Sequence, residues 1–162
     1  MSNCRGLFIT GTSTEVGKTY VTALIAKTLL EQGRTVGVYK PVASGCDEQN
    51  GQLASEDATQ LWEAAGKPGE LEFVAPQRFI APLAPHRAAA QEGREIDEAL
   101  LVDGLKYWQE RSEIVLVEGA GGLMSPMSTN LYCADLAASL KFPLVVVAAN
   151  VLGVINLSLI HI

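Results

Sequence analysis

Three short stretches gather residue types suited to handling a phosphate. The first, GTSTEVGKTY at 11–20, ends in Gly17-Lys18-Thr19 just ahead of a helix-like run. A glycine-rich turn there presents successive backbone N–H groups to an anion, and the helix dipole adds partial positive charge. Lys18 can reach β- and γ-phosphate oxygens, and the Thr19 hydroxyl can take one position on Mg²⁺. Five residues separate Gly11 from Gly17, one more than in the standard phosphate-binding loop. The second stretch, YKPVASG at 39–45, carries Lys40 ahead of the rigid Pro41. A second ammonium opposite Lys18 would neutralise a phosphoryl group in transit, and positioning with charge neutralisation is most of what phosphoryl transfer needs. The third, EIVLVEGAGG at 113–122, closes an apolar run with Glu118. A carboxylate there can hold Mg²⁺ or its water, while Gly119, Gly121 and Gly122 leave room for a ligand beside the backbone.

Each residue also has a plainer reading. A lone lysine is usually a surface lysine. A glutamate ending a strand can simply be solvated beside a glycine turn. Asp57, taken alone, is an N-cap or first-turn acid of the helix at 57–66. His86 has no serine, acid or metal-ligand spacing around it and reads as structural or substrate-lining. Trp62, Tyr107 and Trp108 sit at helical spacings and read as packing.

What favours chemistry is where the three stretches fall. Apolar runs at Leu7–Thr10, 35–40, 113–118 and 143–149 read as strands. Helical patterns cover 18–33, 56–66, 96–112 and 131–140, whereas 41–56 and the proline-rich 67–85 read as loops. Strands apolar on both faces, alternating with helices, predict an α/β fold: a P-loop NTPase-like, mostly parallel sheet flanked by helices on both faces. Ligands in such sheets bind at the carboxyl ends of the strands, where all three stretches lie. After the last strand, NVLGVIN should open a helix, yet the chain stops at LSLIHI. The expectation is a single domain over 1–156, incomplete at its C-terminus, with Leu157–Ile162 a non-native tail and no role for His161.

Bulk properties narrow the partners. The chain has 162 residues, 48% apolar and 19% charged, with a formal charge of −6. An acidic surface of this kind argues against nucleic acid as partner. No run is long enough to span a membrane, and the N-terminus has no signal-like apolar stretch. Cys4, Cys46 and Cys133 are widely spaced, as for reduced thiols in a cytoplasmic protein rather than a disulfide frame or zinc site.

Taken in order, GTSTEVGKT, YKPVASG, APLAPH, QEG with the following Ile96, and VEGAGGLMSP closely resemble the dethiobiotin synthetase family over residues 6–156. The longer loop is then a family variant. The resemblance implies an ATP-dependent ligase of biotin synthesis that joins CO₂ or bicarbonate to 7,8-diaminononanoate and closes a cyclic urea through a carbamate and a carbamic–phosphoric anhydride. It implies that Glu15, Val16, Gly17, Lys18, Thr19 and Tyr20 hold ATP, joined by Gly119, Ala120 and Gly121. It places Thr19, Asp57 and Glu118 around Mg²⁺, and makes Lys18 and Lys40 catalytic. Thr14 and Ser44 would contact the diamine or its carbamate. Gly153, Val154 and Asn156 would meet the substrate carboxylate across a homodimer interface. The adenine-recognising part of the family has no counterpart in this sequence. Two alternatives share the loop: a partition-type ATPase switch, which should carry an additional lysine where Thr12–Glu15 stand, and a glutamine-dependent amidoligase of corrin synthesis, which needs a further domain with a catalytic cysteine.

Overall fold

Residues 36–39 carry no charged side chain, and all four are buried, which requires cover on both faces of the strand they form. The computed structural model describes residues 4–49 and 51–159. Its order is β1 (Arg5–Gly11), α1 (Lys18–Glu31), β2 (Val36–Tyr39), β3 (Val42–Ser44), β4 (Asp47–Gln49), β5 (Gln52–Ala54) and α2 (Glu56–Ala64). A 3₁₀ turn at Leu71–Phe73 leads to β6 (Gln77–Phe79), α3 (Pro85–Gln91), α4 (Glu98–Asp103) and α5 (Leu105–Gln109). Then come β7 (Ile114–Glu118), α6 (Cys133–Leu140), β8 (Leu144–Val147) and α7 (Val154–Leu159).

The main sheet has four parallel strands in the order β2-β7-β1-β8. Its register brings the expected site together. Tyr39 pairs with Val117, so Lys40 emerges beside Glu118, and Ile9 pairs with Glu118 on the other side. The β1 tip, Gly11, pairs with Val147. Helix α1 packs on β1, β2 and β7 through small residues, with Thr22, Ala23 and Ala26 buried. That small face lets the helix lie close behind Glu118. Helix α5 covers β2 and β7 and fills the core with Trp108, which is fully buried and donates its indole N–H to the Phe73 carbonyl.

Several boundaries differ from the sequence reading. The loop at 41–56 contains β3 and the β4–β5 hairpin, and the proline-rich 67–85 contains β6, which pairs in parallel with β3. Strands of three residues are too short to leave an alternating pattern. The helix α3 was absent from that reading altogether. It starts with Pro85 in its first turn, where proline costs nothing because the missing N–H would be unpaired anyway. The single helix expected over 96–112 is divided at Gly104, where the Tyr39 hydroxyl donates to the Leu100 and Leu101 carbonyls. The first long helix stops at Glu31, ahead of Gly33 at φ 77°. Of the tail, Ile160–Ile162 lie outside the described residues.

Ser55, rather than Asp57, caps α2: its hydroxyl accepts from the Ala58 N–H at 3.2 Å. Ser55→Ala should lower stability by about 1 kcal/mol, read from denaturant melts. An unchanged midpoint would show that the cap does not anchor this helix, which carries Asp57.

Candidate active site

The five-residue spacer of the phosphate loop is accommodated by left-handed backbone. Glu15 has φ 58° and Gly17 φ 93°, and Gly17 forms the N-cap of α1 with no side-chain cap of its own. The uncapped amides of the first helical turn therefore stay available to an anion. Lys18 follows, and its Nζ donates to the Ser13 carbonyl at 2.9 Å, which holds the ammonium back over the loop. At the next strand tip Lys40 is buried, and its Nζ lies 2.7 Å from Glu118 Oε1 and 2.7 Å from Asp57 Oδ2. The Thr19 hydroxyl joins the same cluster, 3.0 Å from Asp57 Oδ1 and 3.0 Å from Glu118 Oε1. Behind it, the Thr22 hydroxyl lies 3.0 Å from Glu118 Oε2.

Burial and charge act together here. Glu118 is fully buried, whereas the Asp57 side chain is about half exposed, at 46%. Burial by itself would lower the pKa of Lys40, but the Glu118 and Asp57 carboxylates outweigh it and hold Lys40 above the ordinary lysine value. Asp57 has the mirror situation: burial would raise it, and Lys40 together with the Thr19 hydroxyl brings it below the usual carboxylate range. For Lys18 burial dominates, and with the positive charge of Lys40 it lowers the pKa despite the two acids. Lys40 is the counter-ion of both acids.

These groups line one open cleft of about 740 Å³. Of the residues expected from sequence, Thr14, Glu15, Gly17, Lys18, Thr19, Lys40, Ser44, Asp57, Glu118, Ala120 and Gly121 face it. Val16 instead packs its methyl toward Gly11, and Tyr20 is largely exposed on α1. Gly119 lies behind the cleft floor: a Cβ there would stand 2.6 Å from Cys133 Sγ and 3.2 Å from the Phe8 ring. Only a residue without a side chain lets the chain leave β7 at this point. Gly153, Val154 and Asn156 are not among the cleft-lining residues; they sit at the start of α7, with Gly153 and Asn156 exposed. His86 is half-buried and does not line the cleft, and its Nδ1 has no partner among the described residues.

Other cleft walls come from residues to which the sequence reading gave no site role. Pro82, Leu83, Ala84 and Pro85 form an apolar side, with Val42 and Ser125 completing the lining. APLAPH was visible as a string, but its place opposite Lys40 depends on the β3–β6 pairing. Thr22 is one turn beyond the loop and resembles any small helix residue.

The oxygen set of Thr19, Asp57 and Glu118 suits a hard divalent cation. Among the described residues no group of three or more His, Cys, Asp or Glu could hold a metal. A cation here would therefore draw its remaining ligands from phosphate and water, as Mg²⁺ ordinarily does at phosphoryl-transfer sites. A cleft with uncapped amides, two buried ammonium groups and such an oxygen set can bind a polyphosphate and stabilise charge on its terminal group. The apolar wall beside it suits an alkyl chain.

A family model described as an AAA domain matches residues 5–162. Curated proteins similar to this chain include the ATP-dependent dethiobiotin synthetase of Rhodopirellula baltica, 48% identical over 160 residues, covering 92% of this chain and 62% of that protein. The enzyme of the same name from Anaeromyxobacter dehalogenans is 43% identical over 154 residues, covering 94% of this chain and 66% of that protein. The ATP-dependent dethiobiotin synthetase BioD 1 of Salmonella typhi is 40% identical over 150 residues, covering 92% of this chain and 65% of that protein. The chain thus spans about two thirds or slightly less of the length of these relatives. Cys4, Cys46 and Cys133 are all free thiols, and no described helix is long and apolar enough to cross a membrane.

Proposed function

This chain belongs to the AAA domain family, and from that premise we propose that it carries the phosphate-handling site of an ATP-dependent dethiobiotin synthetase. The reaction is carboxylation and ring closure of 7,8-diaminononanoate with CO₂. The observation that carries this reading is the convergence, in one cleft, of Lys18, of Lys40 bridged to Asp57 and Glu118, and of the Thr19 hydroxyl. The names of the similar proteins supply the reaction class.

An amine of the substrate adds to CO₂, loses a proton and becomes a carbamate. A carbamate oxygen attacks the γ-phosphorus of ATP, and ADP leaves. The second amine attacks the carbamoyl carbon, phosphate leaves, and loss of a proton completes the cyclic urea. Glu15–Thr19, with Tyr20 at the rim, hold the triphosphate through backbone amides, and Lys18 contacts its terminal oxygens. Ala120 and Gly121 join these residues along the cleft, and Gly119 lets the chain leave β7 behind its floor. Lys40 neutralises the carbamate and the phosphoryl group as it passes between them. Thr14 and Ser44 orient the diamine, and the Pro82–Pro85 wall shields its chain from water. Mg²⁺, held by Thr19, Asp57 and Glu118, would supply charge neutralisation on the phosphates. In a cytoplasmic homodimer, Gly153, Val154 and Asn156 of a second copy complete the site around the substrate carboxylate.

ADP release by the full-length protein should require both 7,8-diaminononanoate and bicarbonate. ATP hydrolysis that is indifferent to the diamine would overturn the ligase and favour a switch-type ATPase.

A further inference from the structure

Glu118 is fully buried, and both of its oxygens are engaged, each from a different side. Oε1 faces the cleft, with Lys40 Nζ at 2.7 Å and Thr19 Oγ1 at 3.0 Å. Oε2 faces away from it, toward the body of α1, and accepts from the Thr22 hydroxyl at 3.0 Å. Thr22 is itself completely buried and does not line the cleft.

Resting on the site reading above, we propose that Thr22 is a positioning residue: it fastens Glu118 Oε2 so that Oε1 alone is offered to a cation beside Thr19 and Asp57. A carboxylate on a strand tip can otherwise rotate about its last torsion, which is soft and roughly two-fold. Rotation here would exchange the two oxygens, or turn both toward a cation as a bidentate pair. A buried donor on one oxygen removes that freedom. It also satisfies an acceptor that no water reaches, and a donor to an ionised oxygen makes a stronger bond than one between neutral groups. The Thr22 hydroxyl also lies 2.8 Å from the Lys18 carbonyl one turn earlier in α1. Its single proton can serve either acceptor. The carbonyl is already within reach of the helix's own N–H groups, whereas Thr22 is the donor that Oε2 meets among the described residues. The contact ties Glu118 on β7 to α1 one turn beyond Lys18, so the cation ligand is fastened to the helix that follows the phosphate loop.

The test measures Mn²⁺ binding to the full-length protein in the presence of a non-hydrolysable ATP analogue, read from the paramagnetic resonance signal of free Mn²⁺. Removing an outer hydrogen bond to a metal ligand typically weakens the metal by 10- to 100-fold. Thr22→Val keeps the shape and loses the hydroxyl, and should raise the Mn²⁺ dissociation constant at least about tenfold. Thr22→Ser restores the donor and should bind within about threefold of the parent. A merely structural role would lower the melting temperature of Thr22→Val and leave Mn²⁺ affinity in the folded protein unchanged; that result overturns the proposal. Equal weakening in Thr22→Val and Thr22→Ser also overturns it, because packing rather than the hydroxyl would then be responsible. If Thr22→Val does not fold, Thr22→Ala takes its place in the same assay with the same expectation. Glu118→Gln serves as the reference. Should it bind Mn²⁺ as tightly as the parent, Glu118 is no metal ligand and the site reading itself fails. If it loses Mn²⁺ while Thr22→Val does not, only the role of Thr22 fails.

Discussion

Lys40→Leu is expected to cut turnover by about two to three orders of magnitude and to destabilise the fold at the same time. The chemical loss follows from position: the ammonium stands at the cleft between two carboxylates, where the transferred phosphoryl group would pass. Removing a preorganised group of this kind typically costs a factor of about 10² to 10³ in turnover, while binding of an ATP analogue, which rests on the loop, should change far less. The structural loss follows from burial. Leucine would leave Glu118 fully buried with no cation beside it, and breaking one half of a buried pair costs roughly 3 kcal/mol or more. The two losses can be separated. Adding millimolar Mg²⁺ should raise the melting temperature of Lys40→Leu more than that of the parent, because a cation bound only to the folded form stabilises it and the variant's acids lack the competing ammonium. A variant as stable as the parent without Mg²⁺ would contradict the counter-ion role, and one with parental turnover would contradict the catalytic role.

Lys18→Ala should weaken binding of an ATP analogue by about one to two orders of magnitude. A charge-assisted contact between an ammonium and phosphate oxygens is worth roughly 1.5–3 kcal/mol in a partly buried site. The backbone amides of 15–19 would remain, so binding should be reduced rather than lost. Stability should change little, since Lys18 donates to a carbonyl, Ser13, rather than to an acid, so its removal leaves no buried charge unpaired. Calorimetric titration together with a thermal melt measures both. Binding within about threefold of the parent would mean that the loop does not engage the triphosphate through this lysine.

The contrast between Lys18 and Lys40 shows where reading the chain reaches its limit. Lys18 was recognisable because everything it needs is local: a strand, a glycine turn and a helix start lie within residues 5–31. The parallel sheet was legible for a similar reason. Runs such as 114–117 and 36–39 are apolar on both faces, and only a doubly covered sheet can bury them. Lys40 and Glu118 could be placed at strand tips by the same logic, but that they touch is a matter of register across 78 positions. Asp57 shows the limit more sharply. By itself it was an ordinary first-turn acid, and family resemblance, not spacing, gave it a role; the pairing of α2 with α1 then brought it to Lys40 and Thr19. Thr22 had no signal at all, since a small buried residue on a helix looks the same whatever lies behind it. The stretch APLAPH was visible in the sequence, but the place of Pro82–Pro85 as a cleft wall was not, because it depends on the three-residue pairing of β3 with β6. Elements and loop chemistry are local properties of residue type and period. Which side chains meet is set by long-range pairing, whose energy is spread over the whole core and leaves no mark at any one position.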